Sequence, residues 1–188
     1  MLTIGHSTLA IELFLGALQG NDVTLLVDVR TIPQSRHNPQ FGMEALSASS
    51  GSVGIQYLWM KALGGLRRAK KDSINTGWRN ASFRGYADYM QTEAFKEALQ
   101  ELMELEKDTT VAIMCSEAVP WRCHRSLIGD ALLVRGHSVE DIFVSATGKS
   151  HRKPHTLTPF VRVDGTRLWY PGEPELPWPR ENAPDRIS

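Results

Sequence analysis

Two short and almost wholly apolar runs, at residues 23–27 and 111–115, constrain the fold of this chain most. Neither run alternates apolar and polar residues, as a strand with one face in water would. Strands of this kind are buried on both faces, which is typical of a parallel sheet covered by helices on each side.

Segments with helical spacing of apolar residues separate these runs from three weaker ones. The alternation of strands and helices predicts an α/β fold: a mostly parallel sheet of about five strands with helices on both faces.

Ser7 or Thr8 is expected to cap the first helix, which Gly20 ends, and Thr92 to cap another. A third helix is expected to start at Pro120 and to end near Gly136. The predicted strands are residues 1–4, 23–27, 55–59, 111–115 and 139–144, and residues 31–42 and 63–83 are predicted loops.

The C-terminal part follows a different pattern. The stretch FVRVDGTRLWY places Asp164 and Gly165 between two β-rich runs, which predicts a β-hairpin. Proline is frequent from Pro171 onward, which favours an extended tail. We therefore expect an α/β domain over residues 1–150, with the hairpin and Pro-rich tail of residues 151–188 packed on the same domain.

Composition limits the classes of function. Lys and Arg together number 21, as do Asp and Glu, so no overall charge favours a nucleic acid or an acidic membrane surface. Two cysteines in 188 residues do not make a disulfide framework, and the N-terminus has no basic leader. We expect a cytoplasmic protein without a membrane partner; the sequence specifies neither a cofactor nor an oligomeric state.

Polar motifs follow three of the predicted strands, and the carboxyl ends of parallel strands share one edge of a sheet. His6 and Ser7 follow the first strand, Asp28 and Arg30 the second, and the segment from Cys115 to Glu117 the fourth. We therefore predict one site that combines catalytic and ligand-binding side chains. The predicted catalytic residues are Glu117, Cys115, His6 and His124, and the predicted ligand-binding residues are Ser7, Asp28, Arg30, Ser35, Arg122, Cys123 and Arg125.

The predicted helix start near residues 120–124 favours an anionic ligand, because unpaired N–H groups and nearby arginines attract negative charge. The alternative is that Arg30 and Arg125 form salt bridges with Asp28 or Glu117. Cys115 is either a nucleophile activated by the same field or a buried core residue. Its spacing to Arg122 departs from that of cysteine-dependent phosphatases, since six residues intervene instead of five.

A metal site is not predicted. The sequence has no C-x-x-C pair, and adjacent Cys123 and His124 on a helix would point about 100° apart. A nucleic-acid partner has limited support from the basic cluster of residues 67–71, with Trp59, Trp78 and Tyr86 as possible stacking surfaces.

Five motifs occur in the order found in a known family: TIGHS; DVR followed by a proline and Ser35; LGG; Tyr86 and Met90; and MCSE followed by CHR. In these motifs the chain resembles the family called domain of unknown function 488, over about residues 2–145. The GTRLWYP segment resembles a C-terminal extension of some members. The resemblance implies an α/β fold and no particular reaction.

The residues thus favour an enzyme that binds a small anionic ligand, phosphate- or nucleotide-like, at the carboxyl edge of the sheet. The alternative is a non-catalytic nucleotide or nucleic-acid binding module in which the same Cys, Glu, His and Arg side chains are structural.

Overall fold

A computed structural model describes residues 1–172. It contains a six-stranded sheet, five α-helices and a separate two-stranded hairpin. The sheet strands are β1 (Leu2–Gly5), β2 (Leu25–Asp28), β3 (Gln56–Trp59), β4 (Val111–Cys115), β5 (Glu140–Val144) and β6 (Ser150–Pro154). The helices are α1 (Ile11–Gln19), α2 (Met43–Ser52), α3 (Ala81–Tyr89), α4 (Glu93–Leu105) and α5 (Arg125–Leu133).

The sheet order is β3-β2-β4-β1-β5-β6, and the first five strands of the chain run parallel. This confirms the predicted α/β fold. The sixth strand, β6, was not predicted and pairs antiparallel with β5 at the sheet edge. All of its residues are exposed, so it has none of the apolar character that identifies a buried strand.

Alternate residues of the central strands pack into two cores, one on each face of the sheet. Val27 and Ile113 lie in the core that contains Leu99 of α4 and Leu127 of α5. The neighbouring residues Leu26, Ala112 and Met114 lie in the other core, with Phe14 of α1 and Leu46 of α2. Helices therefore cover both faces, as the apolar runs predicted.

Two helices, α2 and α3, were not predicted from the sequence. Helix α2 reads MEALSASSGS, and only Leu46 and Ser50 are buried. It is nevertheless the crossover from β2 to β3, which a parallel pair of strands requires. Helix α3 begins at Ala81, in the last residues of the predicted loop 63–83, and continues to Tyr89. It includes Gly85, where a Cβ would lie 2.4 Å from the Arg67 carbonyl oxygen.

Two of the expected helix starts are wrong, and one is confirmed. Helix α1 begins at Ile11 after Ala10, without a side-chain cap, and Ser7 instead adopts a positive φ of 47° in the preceding turn. Residues Pro120–Arg122 form a separate 3₁₀ turn, so α5 begins only at Arg125. Thr92 does cap α4, since its hydroxyl accepts the N–H of Phe95.

The predicted hairpin is present as β7 (Arg162–Asp164) and β8 (Arg167–Trp169), joined through Gly165 at φ 57°. Leu168 and Tyr170 are buried in the core that contains α4 and α5. The predicted tail lies almost entirely outside the described residues. Within residues 1–172, every helix is too short or too polar to cross a membrane.

Candidate functional site

An open cleft lies where the carboxyl ends of β1 and β4 meet. These neighbouring strands lead to opposite faces of the sheet, because α1 follows β1 on one face and α5 follows β4 on the other. Such a point, where the connections diverge, is where open α/β sheets form ligand crevices. The cleft has a volume of about 850 Å³.

Nine of the eleven side chains predicted from the sequence line this cleft. They are His6, Ser7, Arg30, Ser35, Cys115, Glu117, Arg122, Cys123 and His124. Asp28 and Arg125 are buried behind it.

Backbone hydrogen bonds continue the pairing of β1 and β4 beyond the sheet. The N–H of His6 donates to the Cys115 carbonyl at 3.1 Å, and the N–H of Ser7 donates to the Ser116 carbonyl at 2.9 Å. Gly5 allows this close approach, since a Cβ there would lie 1.8 Å from the Glu117 carbonyl oxygen. The main chain therefore holds the polar residues that follow β1 next to those that follow β4.

Both cysteines and one histidine converge on the floor of the cleft. Nδ1 of His124 lies 3.8 Å from Sγ of Cys115 and 3.7 Å from Sγ of Cys123. Cys123 and His124 do not point apart as predicted, because Cys123 is not helical. It has extended backbone, with φ −132° and ψ 143°, between the 3₁₀ turn and α5.

The orientation of His124 is fixed by a backbone carbonyl. Its Nε2 lies 3.0 Å from the Val29 carbonyl oxygen, which can only accept, so Nε2 carries the hydrogen. In the neutral ring, the lone pair of Nδ1 then faces the two sulfur atoms. The Tyr86 ring packs against the imidazole with centroids 4.9 Å apart, which further restricts its rotation.

The two thiols have unequal acidity. The neighbouring Cys123 thiol lowers the pKa of Cys115 well below its usual value, with further lowering by the positive charge of Arg125. Burial, followed by the neighbouring Cys115 sulfur, raises the pKa of Cys123 well above its usual value. The pair thus favours a thiolate at Cys115, stabilised by a protonated Cys123.

Arg30 and Asp28 form a buried ion pair that supports His6. The guanidinium donates to Asp28 from Nε and Nη2 and to the Phe41 carbonyl at 2.8 Å. Nη1 of Arg30 lies 3.3 Å from Nε2 of His6, whose Nδ1 donates to the Ser7 carbonyl. Burial and the charge of Arg30 lower the pKa of His6 to about 4, so this ring is neutral at physiological pH.

Arg125 is buried, and its guanidinium binds backbone carbonyls of the protein instead of facing the cleft. It is 1% exposed, and its Nη1 and Nη2 donate to the carbonyls of Glu117 and Ala118 at 2.7 and 3.0 Å. These bonds shape the loop after β4 and bring a positive charge beneath the cysteines. Arg122, by contrast, is exposed on the cleft wall.

Two of the aromatic residues near the basic cluster, Tyr86 and Trp78, pack against other side chains of the protein. Tyr86 is fully buried, and Trp78 packs between Phe83 and Phe160. The Arg67 guanidinium lies 3.6 Å from the centre of the Tyr89 ring. The prediction of a stacking surface was wrong for Tyr86, because no base can reach a fully buried ring.

Sequence reasoning missed two apolar side chains on the rim of the cleft, Ile32 and Leu66, which are 60% and 68% exposed. It also missed the role of Gly65, where a Cβ would lie 2.4 Å from Nδ1 of His124. The LGG motif was the available signal for Gly65, because glycine often marks a close approach of the backbone.

Comparison with known proteins identifies one family. The family model described as "Domain of unknown function DUF488" matches residues 10–132, which is more than half of the chain. No curated protein and no solved structure matches the chain.

Proposed function

The chain belongs to the family of the domain of unknown function DUF488, and we propose that it is an enzyme acting on an anionic, phosphate- or nucleotide-like ligand bound in the cleft between β1 and β4. One observation carries the proposal: two thiols whose pKa values are shifted in opposite directions lie beside an imidazole on the floor of an open cleft. Groups with strongly shifted pKa values collect at functional sites, because catalysis needs protonation states that water would not favour.

Arg122 is the side chain that contacts the anion in this proposal. Arg30 and Arg125 are occupied by Asp28 and by backbone carbonyls, whereas Arg122 is exposed on the cleft wall. A guanidinium can hold a phosphate through two parallel hydrogen bonds. Arg30 in the cleft lining and Arg125 behind the cleft add positive charge without contacting the ligand.

The remaining lining suits a ligand that is not wholly polar. Ile32 and Leu66 present exposed apolar surface at the rim, while Ser7 and Ser35 offer hydroxyl groups within the same cleft. A nucleotide combines an anionic group with a flat and largely apolar base, so it matches a cleft that has both polar and apolar lining. Glu117, also in the cleft, is the group we assign to proton transfer.

Arg122→Gln tests the proposed anion contact. We expect nucleoside monophosphates, nucleoside triphosphates or pyrophosphate to raise the melting temperature, since ligand at about 100 times Kd adds about 2.7 kcal/mol of stability. Arg122→Gln should weaken that binding at least about tenfold, equivalent to about 1.4 kcal/mol. Arg68→Gln is the matched control, because Arg68 is exposed and does not line the cleft.

The same incubation separates an enzyme from a binding module. Chromatography of the ligand after incubation should reveal a converted product, and Glu117→Gln should abolish conversion while leaving binding intact. A ligand that binds but is recovered unchanged would favour the binding module. If no anionic probe stabilises the protein, or if both arginine variants weaken binding equally, the proposed site is wrong.

A further inference from the structure

We propose that Cys115, Cys123 and His124 form a binding site for a thiophilic divalent metal ion such as Zn²⁺, with its fourth coordination position open to the cleft. The site deepens the proposed function by giving the cleft a resident cofactor. The ligand atoms are Sγ of Cys115, Sγ of Cys123 and Nδ1 of His124, and all three lie within 4.8 Å of one another.

The separations of these atoms match a tetrahedral site. With Zn–S distances of about 2.3 Å and Zn–N distances of about 2.0–2.1 Å, sulfur and nitrogen ligands of one ion lie about 3.5–3.6 Å apart. The two sulfur-to-nitrogen distances are 3.8 and 3.7 Å. Each sulfur-to-nitrogen distance therefore needs to shorten by only a few tenths of an ångström. The two sulfur atoms lie within 4.8 Å of each other and would have to be about 3.8 Å apart in a tetrahedral site.

His124 is already oriented as a metal ligand. Its Nε2–H donates to the Val29 carbonyl at 3.0 Å, so the free lone pair belongs to Nδ1, which faces both sulfur atoms. Metal-binding histidines commonly have their second nitrogen held by a carbonyl or a carboxylate in this way. The same carbonyl thus selects the tautomer that coordination requires.

The donor set selects the class of ion. Two thiolates and one imidazole suit Zn²⁺ and similar borderline or soft ions, whereas Mg²⁺ and Ca²⁺ prefer oxygen ligands. Three protein ligands with an open fourth position are typical of catalytic zinc, while structural zinc normally has four protein ligands. All three residues line the cleft, so a water molecule or the ligand can complete the coordination.

Titration of reduced, chelator-treated full-length protein with Co²⁺ and Zn²⁺ tests the proposal. We expect one ion per chain, and the Co²⁺ form should show sulfur-to-metal charge-transfer absorption together with the strong visible bands of a tetrahedral site. Cys123→Ser and His124→Gln should each weaken binding at least about 100-fold, since loss of an outer-shell partner alone costs about 10–100-fold. His37→Gln, at an exposed histidine outside the cleft, should bind as the wild type does.

Gly65→Ala provides a variant that keeps all three ligands. Its Cβ would lie 2.4 Å from Nδ1 of His124, so the ring must shift and binding should weaken about tenfold or more. Gly51→Ala is the matched control, because a Cβ at Gly51 meets no atom within 4 Å. If a ligand variant fails to fold, the wild-type Co²⁺ spectrum and the two glycine variants decide the question.

Substoichiometric binding, a Co²⁺ spectrum without thiolate charge transfer, or equal binding by His124→Gln and the wild type would overturn the metal site. A second experiment compares anion binding and ligand conversion in metal-free and metal-loaded protein. Full conversion by the metal-free protein would refute the metal site's role in the cleft and leave the proposed enzyme standing. A bound ion in a protein that neither binds nor converts any anion would leave the metal site standing and refute the proposed function.

Discussion

Gly5→Ala is expected to destabilise the folded protein by at least about 3 kcal/mol, which is near the top of the range for single substitutions. An alanine Cβ at this position would lie 1.8 Å from the carbonyl oxygen of Glu117 and 2.7 Å from Nη1 of Arg125. The carbonyl cannot easily retreat, because that same Nη1 holds it at 2.7 Å. The strand cannot retreat either, because β1 is paired on both sides.

Urea unfolding measures this effect, and Gly51→Ala is the control. Gly51 lies in α2 with open space around its Cβ position, so alanine there should leave stability unchanged or raise it slightly. A loss below about 1 kcal/mol for Gly5→Ala would show that the loop after β4 is free to move. The close backbone contact between β1 and that loop would then not be needed for the fold.

The second large effect is a loss of stability between about pH 6.5 and pH 9, caused by His155. Its Nδ1 and Nε2 lie 3.0 and 3.3 Å from carboxylate oxygens of Asp141 and Asp130, so both ring nitrogens carry hydrogens. Although burial by itself lowers the pKa of His155, the hydrogen bonds to Asp130 and Asp141 raise it to about 9. Asp130 also accepts the hydroxyl of Tyr170, which joins the C-terminal hairpin segment to α5.

The sign of the pH effect follows from proton linkage. The pKa of His155 is about 9 in the folded state and 6.5 in the reference state, so the folded protein binds this proton more tightly. The contribution is complete below pH 6.5 and is lost as the pH rises through 9. Its size is about 3 kcal/mol, because each unit of pKa shift corresponds to about 1.4 kcal/mol.

Urea unfolding at pH 6 and at pH 9 tests this prediction in three proteins. Wild type and His151→Gln, at an exposed histidine of β6, should lose stability over this interval. His155→Gln should be less stable at both values, since it leaves buried carboxylates short of a donor, but it should lack most of the pH-dependent loss. Equal pH dependence in His155→Gln and wild type would contradict the account.

The sequence predicted the parallel sheet because buried strands need residues with apolar side chains on both faces. Residues 23–27 and 111–115 satisfy that requirement without help from the rest of the chain. The sequence of helix α2 does not identify it as a helix. Its stability comes from packing Leu46 against the sheet and from the crossover that β2 and β3 require. Local propensity is weak there, so only the topology identifies it.

The sequence predicted which side chains of the candidate site lie in one cleft, but it did not predict which way each side chain points. Pro120 fits the first turn of either an α-helix or a 3₁₀ helix, and the sequence does not distinguish them. The short 3₁₀ turn that forms leaves Cys123 extended, which turns its sulfur toward His124. Arg125 could not be placed from the sequence either, since its partners are backbone carbonyls of a loop.

We propose that Cys115 and Cys123 form the reactive floor of the open cleft. The most direct measurement is the pH dependence of alkylation by iodoacetamide in folded, chelator-treated protein, with each cysteine followed separately by peptide mass spectrometry. We expect Cys115 to react with an apparent pKa well below the reference of about 8.5, and Cys123 to react only at higher pH or after unfolding. If both cysteines stay inert until the protein unfolds, they are core residues and the account of the cleft is wrong.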